Sequence, residues 1–289
     1  MDNNYKYQKV LVLGSGQLAY KCAEIVREYI NDVCVLELKV TESTTLEKLC
    51  AKSRIPYLCV IKPEMTDILL KVDTPTLVVS AGNTYLFPEK IIGKENLTII
   101  NWHNALLPRH KGRNAEVWAI YDGDEQTGVT WHYVTGDVDA GNIIGQSTID
   151  IGESMTAMKL YKLQTDIGAV MFGECIEEIL KDGCSSQKQQ ECEEEQMHFS
   201  WEIPNNGRLD TNWEMSKICR FLRAMDYGSL LLMGRMYVQL EDKKYSFYRY
   251  KIKSTEEWQP DRILRHDRCN LHILEKDQEI ILRDVQEEL

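Results

Sequence analysis

The sequence predicts an α/β protein: a doubly wound, mostly parallel sheet, followed by a smaller, mainly β C-terminal domain. Three observations lead there. β-rich apolar runs alternate with amphipathic helical stretches through the first half. A long helical pattern then closes the alternation at Gly183. Beyond it come short strand-like pieces separated by turn residues.

Taken in order, "KVLVLGSG" reads as a buried strand and "QLAYKCAEIVREYI" as a helix with apolar residues at 3–4 spacing. "VCVLEL" is a second strand, "TTLEKLCAKSRI" a helix, "YLCVI" a short strand and "EMTDILLKV" a helix. "TLVVSAG" and "LTIINWH" add two strands, and "NAEVWAIYDG" a helix ended by Gly123. "TGVTWHYV" and "NIIGQSTIDI" read as strands joined by the turn "TGDVDAG". The polar stretch from Cys184 to Gln196 reads as a linker or surface loop. After it come a helix, "NWEMSKICRFLRAMDYG", and the pieces "RMYVQLED", "KYSFYRYKI", "NLHILEK" and "EIILRDVQ", which suggest a small barrel or sandwich. The expected boundaries are 1–184 for the α/β domain, 185–206 for the linker, and 207–289 for a junction helix with the β-rich domain.

A chain of 289 residues suits one large and one small domain. Its net charge of -11 disfavours a nucleic-acid partner, because phosphate binding is driven by clustered Lys and Arg. A local basic pocket for a small anionic substrate stays compatible with that balance. No apolar run reaches the roughly 18–20 residues of a membrane helix, and the N-terminus is polar, so neither membrane nor secretory signal is expected. Nine cysteines show no CxxC spacing, and Cys22, Cys34, Cys59, Cys175 and Cys219 lie in apolar segments. Reduced, buried thiols in a cytoplasmic protein, with no metal, are expected.

Three stretches can carry chemistry. "GSGQLA" after the first strand, with Glu37 closing the next, fits a dinucleotide fingerprint. The same glycines also serve any tight strand-to-helix turn, or a turn that receives a phosphate of another ligand. Asn101 and His103 end the fifth strand two residues apart, so they point the same way at the sheet edge where such folds bind ligands. An amide N–H and an imidazole converging on one point can stabilise an oxyanion and move a proton. Asp137 and Asp139 sit in a glycine-flanked turn, where Asp is ordinary turn chemistry, yet a carboxylate there could orient and charge an imidazole from another strand.

Asn101-Trp102-His103, Leu106-Leu107-Pro108, Gly112, Thr127-Gly128-Val129-Thr130 and Asp139-Ala140-Gly141 occur in this order. The set resembles the folate-dependent formyltransferase family, whose members act on glycinamide ribonucleotide, methionyl-tRNA and amino sugars. The likeness covers about residues 80–150, and the surrounding pattern extends it to about 180. It implies that 1–184 is a catalytic, Rossmann-like domain and that Asn101, His103 and Asp139 form its triad. It implies 10-formyltetrahydrofolate as co-substrate. The backbone of the turn Ser80–Pro88, including Ser80, Gly82, Tyr85, Leu86 and Phe87, would hold the pterin ring. Thr135 and Asp137 would close its other side. Asp139 would raise the imidazole pKa, and a protonated His103 would share the oxyanion with Asn101.

The helix after residue 207 is similar to the junction of the longer family members, and the last 50 or so residues loosely resemble their terminal barrel. The expected acceptor is the primary amine of a nucleotide-linked amino sugar. Its diphosphate would meet the basic run Arg109, His110, Lys111 and Arg113, with Gly14 and Ser15 as further contacts. Against tRNA stand the four glutamates and single lysine of residues 184–196. An aminoacyl acceptor on a carrier or tRNA, a 10-formyltetrahydrofolate hydrolase, and an NAD-dependent enzyme stay as alternatives. "RFLRAMDYG" and "SFYRYKI" fit either a core or an interface, and a homodimer through the C-terminal domain is one arrangement they allow.

Overall fold

The computed structural model describes residues 5–39, 44–181, 184–190, 196–267 and 269–288. The alternation folds as β1 (Lys9–Gly14), α1 (Gly16–Val26), β2 (Val33–Leu38), α2 (Thr45–Ser53), β3 (Tyr57–Val60), α3 (Lys62–Lys71), β4 (Thr76–Ala81), α4 (Glu89–Ile92) and β5 (Leu97–His103). Then follow β6 (Lys111–Gly112), α5 (Ala115–Asp122), β7 (Gln126–Tyr133), β8 (Ile143–Asp150) and the 24-residue α6 (Ala157–Leu180). These strands, β6 apart, make one seven-stranded sheet in the order β3-β2-β1-β4-β5-β7-β8. It is parallel from β3 to β5 and turns antiparallel at the β5–β7 pair.

The local reasons are legible. The Thr44 hydroxyl accepts the Glu47 N–H at 3.1 Å and starts α2, as an N-cap does. Gly123, at φ +86°, ends α5. The central strand β4 is buried along its whole length, which is why it reads as a continuous apolar run. Trp131 of β7 is fully buried against Phe172 of α6, and its indole N–H donates to the Gly168 carbonyl at 2.9 Å. The helix stop placed at Gly183 lies outside the described residues.

The eight described cysteines are free. Cys22 and Cys50 are buried, but Cys59, expected inside, is exposed. It lies on β3, the outermost strand on that side of the sheet, where Leu58 is exposed as well.

The C-terminal half adds β9 (Met197–His198), β10 (Arg208–Leu209), α7 (Met215–Ala224), β11 (Met236–Leu240), β12 (Lys243–Phe247), β13 (Arg249–His266), β14 (Asn270–Arg283) and β15 (Gln286–Glu288). Instead of a barrel or sandwich of short strands, it forms a four-stranded sheet, β10-β11-β12-β15, and a long β13–β14 hairpin. The hairpin slips register between Ser254 and Gln259 and again before Ile263. Pro260 lies in that interval and has no N–H for a ladder. The partner strand β14 is continuous through residues that read as two pieces, "NLHILEK" and "EIILRDVQ".

By packing, the chain divides into two interleaved compact units. One comprises Met1–Arg113, Thr127–Ile149 and Lys162–Met197; the other comprises Asn114–Gln126, Asp150–Tyr161 and His198–Leu289. In the second, Phe221 and Leu222 of α7 are buried, so "RFLRA" serves a core there. Tyr227 donates to the buried Glu116 carboxylate, and Tyr250 to Asp226 at 2.8 Å.

Gly128 of β7 allows a close approach: a Cβ there would stand 2.1 Å from the Ser147 carbonyl and 2.5 Å from Leu106. Gly128→Ala is expected to destabilise the fold by about 1–3 kcal/mol, the range for overpacked interiors. Urea unfolding reads this as a lower midpoint at unchanged slope; an unshifted midpoint would contradict the approach.

Candidate active site

The site begins with strand pairing. Across β4, β5 and β7 the register sets Ser80 opposite Asn101, and Asn101 opposite His132. His103 stands opposite Thr130. One row of side chains from three strands therefore faces the same way. Over this row folds the 134–142 connection, which carries Asp139 at φ +50°, a left-handed conformation uncommon for a residue with a side chain.

The loop after β5 is tied down from several sides. The Thr130 hydroxyl donates to the Ala105 carbonyl at 2.6 Å and accepts the Leu107 N–H at 3.3 Å. Gln146 donates to the Leu107 carbonyl at 2.9 Å, and Gln164 to the Asn104 carbonyl at 2.7 Å. So held, the loop returns Gly112, whose N–H donates to Asp139 Oδ2 at 2.9 Å. This accounts for the second threonine of the Thr127–Thr130 pattern: its hydroxyl pins the loop that follows the histidine.

Asn101, His103 and Asp139, distant in sequence, meet. His103 Nδ1 lies 3.4 Å from Asp139 Oδ2, and the Asn101 amide reaches Asp139 Oδ1 at 3.4 Å. His103 is 3% exposed and the Asp139 side chain 10%. A fourth group joins them: His132 Nε2 lies 3.1 Å from Asn101 Nδ2 and 3.4 Å from Asp139 Oδ1. The sequence reading missed it. The signal was cross-strand: His132 lies two residues beyond Thr130 on the strand that pairs with β5, a neighbour that spacing along one strand does not reveal.

Hydrogen bonding fixes the tautomers. His103 Nε2 is 2.8 Å from the His110 carbonyl, which only accepts, so Nε2 carries the proton and the lone pair sits on Nδ1 beside Asp139. Likewise His132 Nδ1 donates to the Tyr133 carbonyl at 2.9 Å and leaves Nε2 to accept from Asn101. The Ser80 hydroxyl donates to Asn101 Oδ1 at 2.7 Å and settles which way the amide points.

The charges correct one expectation. Burial pushes the His103 pKa below its ordinary value and outweighs the upward pull of Asp139, so the imidazole is neutral at pH 7 rather than protonated. Burial alone would raise Asp139, but the charge His103 carries once it is protonated, together with the Gly112 N–H, holds its carboxyl well below the usual range. At neutral pH the pair is thus a carboxylate beside a neutral imidazole that can take a proton.

The formyl transferase family model matches residues 31–174. This chain belongs to the folate-dependent formyltransferases. It is a one-carbon, formyl-transferring enzyme. A methionyl-tRNA formyltransferase of Staphylococcus epidermidis is 26% identical over 96% of this chain and 91% of its own length. A GDP-perosamine N-formyltransferase of Brucella melitensis is 29% identical over 52% of this chain and 57% of its own. In three dimensions, an N-formyltransferase of Helicobacter canadensis, solved with folinic acid and dTDP-3-aminofucose, superposes with TM-score 0.75 over 95% of this chain and 98% of that one, at 17% identity.

In this formyltransferase the other sequence candidates fall as follows. Tyr85 is buried, its hydroxyl bonded to Thr66 at 2.7 Å and its ring edge-on to Phe87. Leu86 is 75% exposed. Gly82 accepts the Ser15 hydroxyl at 3.1 Å. Thr135 donates to the Asp137 carbonyl, and the Asp137 side chain faces solvent. Of the basic run, His110 and Lys111 are buried, Arg109 is half-buried, and Arg113 is exposed with one guanidinium N–H toward the Asn83 carbonyl at 3.4 Å. Glu37, the acid of the dinucleotide fingerprint, is buried, and its Oε2 accepts from Thr44 at 2.6 Å and Tyr57 at 2.8 Å, bonds that tie the carboxylate to its own fold. Gly14 is accounted for by packing, since a Cβ there would stand 1.9 Å from the Ala81 carbonyl.

His103 is expected to titrate below about 6.5, its unperturbed value, and Asp139→Asn to lower it further by removing the nearby negative charge that pulls it up most. The unfolded chain takes up this proton first, so stability present above about pH 6.5 is lost as pH falls through that value. Imidazole NMR of wild type and variant, with unfolding midpoints from pH 5 to 8, checks both signs.

Proposed function

We propose that this chain transfers the formyl group of 10-formyltetrahydrofolate to the primary amine of a nucleotide-linked amino sugar, with Asn101, His103 and Asp139 as its catalytic residues. One observation carries the reading: those three groups meet within hydrogen-bonding reach at the end of β5, and Ser80, the first residue of the proposed pterin loop, bonds directly to Asn101. Residues 1–184 would be the catalytic part, 185–206 the linker and 207–289 the C-terminal part.

In this reading the backbone of Gly82, Tyr85, Leu86 and Phe87 lines one side of the pterin, and Thr135 and Asp137 the other. The amine lone pair attacks the formyl carbon and the carbonyl electrons move to oxygen. Asn101 has one N–H on His132 and the other in a longer contact, 3.4 Å, with Asp139; in this reading the oxyanion takes the place of that longer contact. Such a donor contributes about 3–4 kcal/mol to the transition state. His103 Nδ1 takes the proton from the amine, and the imidazolium so formed lies against Asp139. Collapse of the intermediate breaks the bond to folate N10, which receives the proton, leaving the formamide and tetrahydrofolate.

An amino-sugar nucleotide is supported by the net charge of -11, by the Brucella relative named for GDP-perosamine, and by the Helicobacter enzyme solved with dTDP-3-aminofucose. Arg113, the exposed cation beside the site, would meet its diphosphate with Arg109 and Lys111. Gly14 and Ser15 lie at the N-terminus of α1, where backbone N–H groups suit a phosphate. A methionyl-tRNA acceptor is the second reading, favoured by the length of the Staphylococcus match.

The test is folate product formation with dTDP-, UDP- and GDP-amino sugars and with methionyl-tRNA. Turnover of an amino sugar is expected; turnover of the tRNA alone hands the acceptor to the second reading, and folate release without any amine makes the enzyme a hydrolase. His103→Ala and Asp139→Asn are each expected to cut kcat by about 10²-fold or more. A purified His103→Ala enzyme working near the wild-type rate would remove this mechanism.

A further inference from the structure

The polar stretch after α6 does more than connect. Gln187 pairs with Ile143 at the start of β8 through two backbone hydrogen bonds, of 2.7 and 2.8 Å. Two residues on, Gln189 Nε2 donates to the Asp139 carbonyl at 2.8 Å and to the Gly141 carbonyl at 2.8 Å. Both partners are acceptors only, so the amide can face them in one orientation. Its own oxygen is turned away and buried, with no hydrogen-bond partner among the described residues.

We propose that Gln189 is a positioning residue for the formyltransferase reaction: it grips the backbone on both sides of Ala140 and thereby aims the Asp139 carboxylate at His103. Asp139 adopts φ +50°, which a residue with a Cβ keeps only where its surroundings hold it. The carboxylate end is held by the Gly112 N–H. The closure of the connection is held by the Tyr133 N–H on the Asn142 carbonyl at 2.9 Å. Between them, the Asp139 and Gly141 carbonyls have Gln189 Nε2 as their hydrogen-bond partner among the described residues, and its removal takes both bonds away. The turn could then relax, and His103 Nδ1, already 3.4 Å from Asp139 Oδ2, would lose its nearby charge. A stretch that reads as a linker thus reaches the proposed triad through a single side chain.

The proposal rests on the catalytic reading of Asp139, and its test separates the two. Gln189→Ala removes the grip, and Gln189→Glu keeps the shape while removing both N–H donors. Each variant is compared with wild type and Asp139→Asn by three measurements: histidine-selective NMR titration of His103, steady-state kinetics with a dTDP-amino sugar, and thermal unfolding. The His103 titration is expected to move down toward that of Asp139→Asn. kcat should fall about tenfold or more, as misplacement of a catalytic group does, with KM for 10-formyltetrahydrofolate within about twofold. If the wild type fails to turn over the sugar yet the titration moves, the positioning role stands while the acceptor assignment falls. An unmoved titration in both variants overturns the proposal, as does a Gln189→Glu enzyme with wild-type kcat.

Discussion

The arrangement depends on one buried carboxylate. Asp139 is withdrawn almost wholly from water, and an isolated carboxylate in that position would take up a proton. It stays ionised because a backbone N–H from Gly112 and the Asn101 amide donate to it, and because His103 gains a charge beside it when protonated. That requirement reaches far along the chain. The loop after β5 must double back so that Gly112 arrives, and Thr130, Gln146 and Gln164 spend their hydrogen bonds holding it there. Much of what looks like a family pattern is the hardware of this one electrostatic demand.

The second constraint is a row across the sheet. Ser80, Asn101 and His132 are register partners on three adjacent strands, so their side chains orient one another in series. The serine hydroxyl fixes the amide, the amide donates to the second imidazole, and backbone carbonyls fix both tautomers. The two histidines therefore present lone pairs, not protons, to the carboxylate side of the site. This reverses the simplest expectation, in which the negative charge keeps His103 protonated, because desolvation of a nearly inaccessible ring outweighs attraction to one neighbour.

The sequence was most readable where a single segment carried its own signal. Strands β1, β2, β4 and β5 are apolar runs, α1 is marked by its 3–4 spacing, and Gly123 stops α5 as expected. The i, i+2 spacing of Asn101 and His103 reads as putting both on one face of the strand, and both reach Asp139. Features that depend on pairing between distant segments stayed hidden. The antiparallel turn at β7 brings His132 to the site, yet nothing within "TGVTWHYV" tells which strand it will join. Cys59 looked buried because its neighbours are apolar, but sheet order puts β3 at an edge. The long β13–β14 hairpin was disguised by its own register slips, and Lys111 reads as a free cation although the loop folds it inward.

Leu86 stands out on the Ser80–Pro88 turn: a large aliphatic side chain three-quarters open to solvent, next to buried Tyr85. Its apolar surface is in contact with water, so any molecule that comes to lie over it releases that water. Association on this turn therefore carries a negative heat-capacity change, and its enthalpy becomes more favourable on warming while the entropic gain shrinks. The affinity of any molecule that covers this turn would in this way be partly a property of the solvent it sheds, and calorimetry across a span of temperatures is sensitive to it where a single-temperature constant is not.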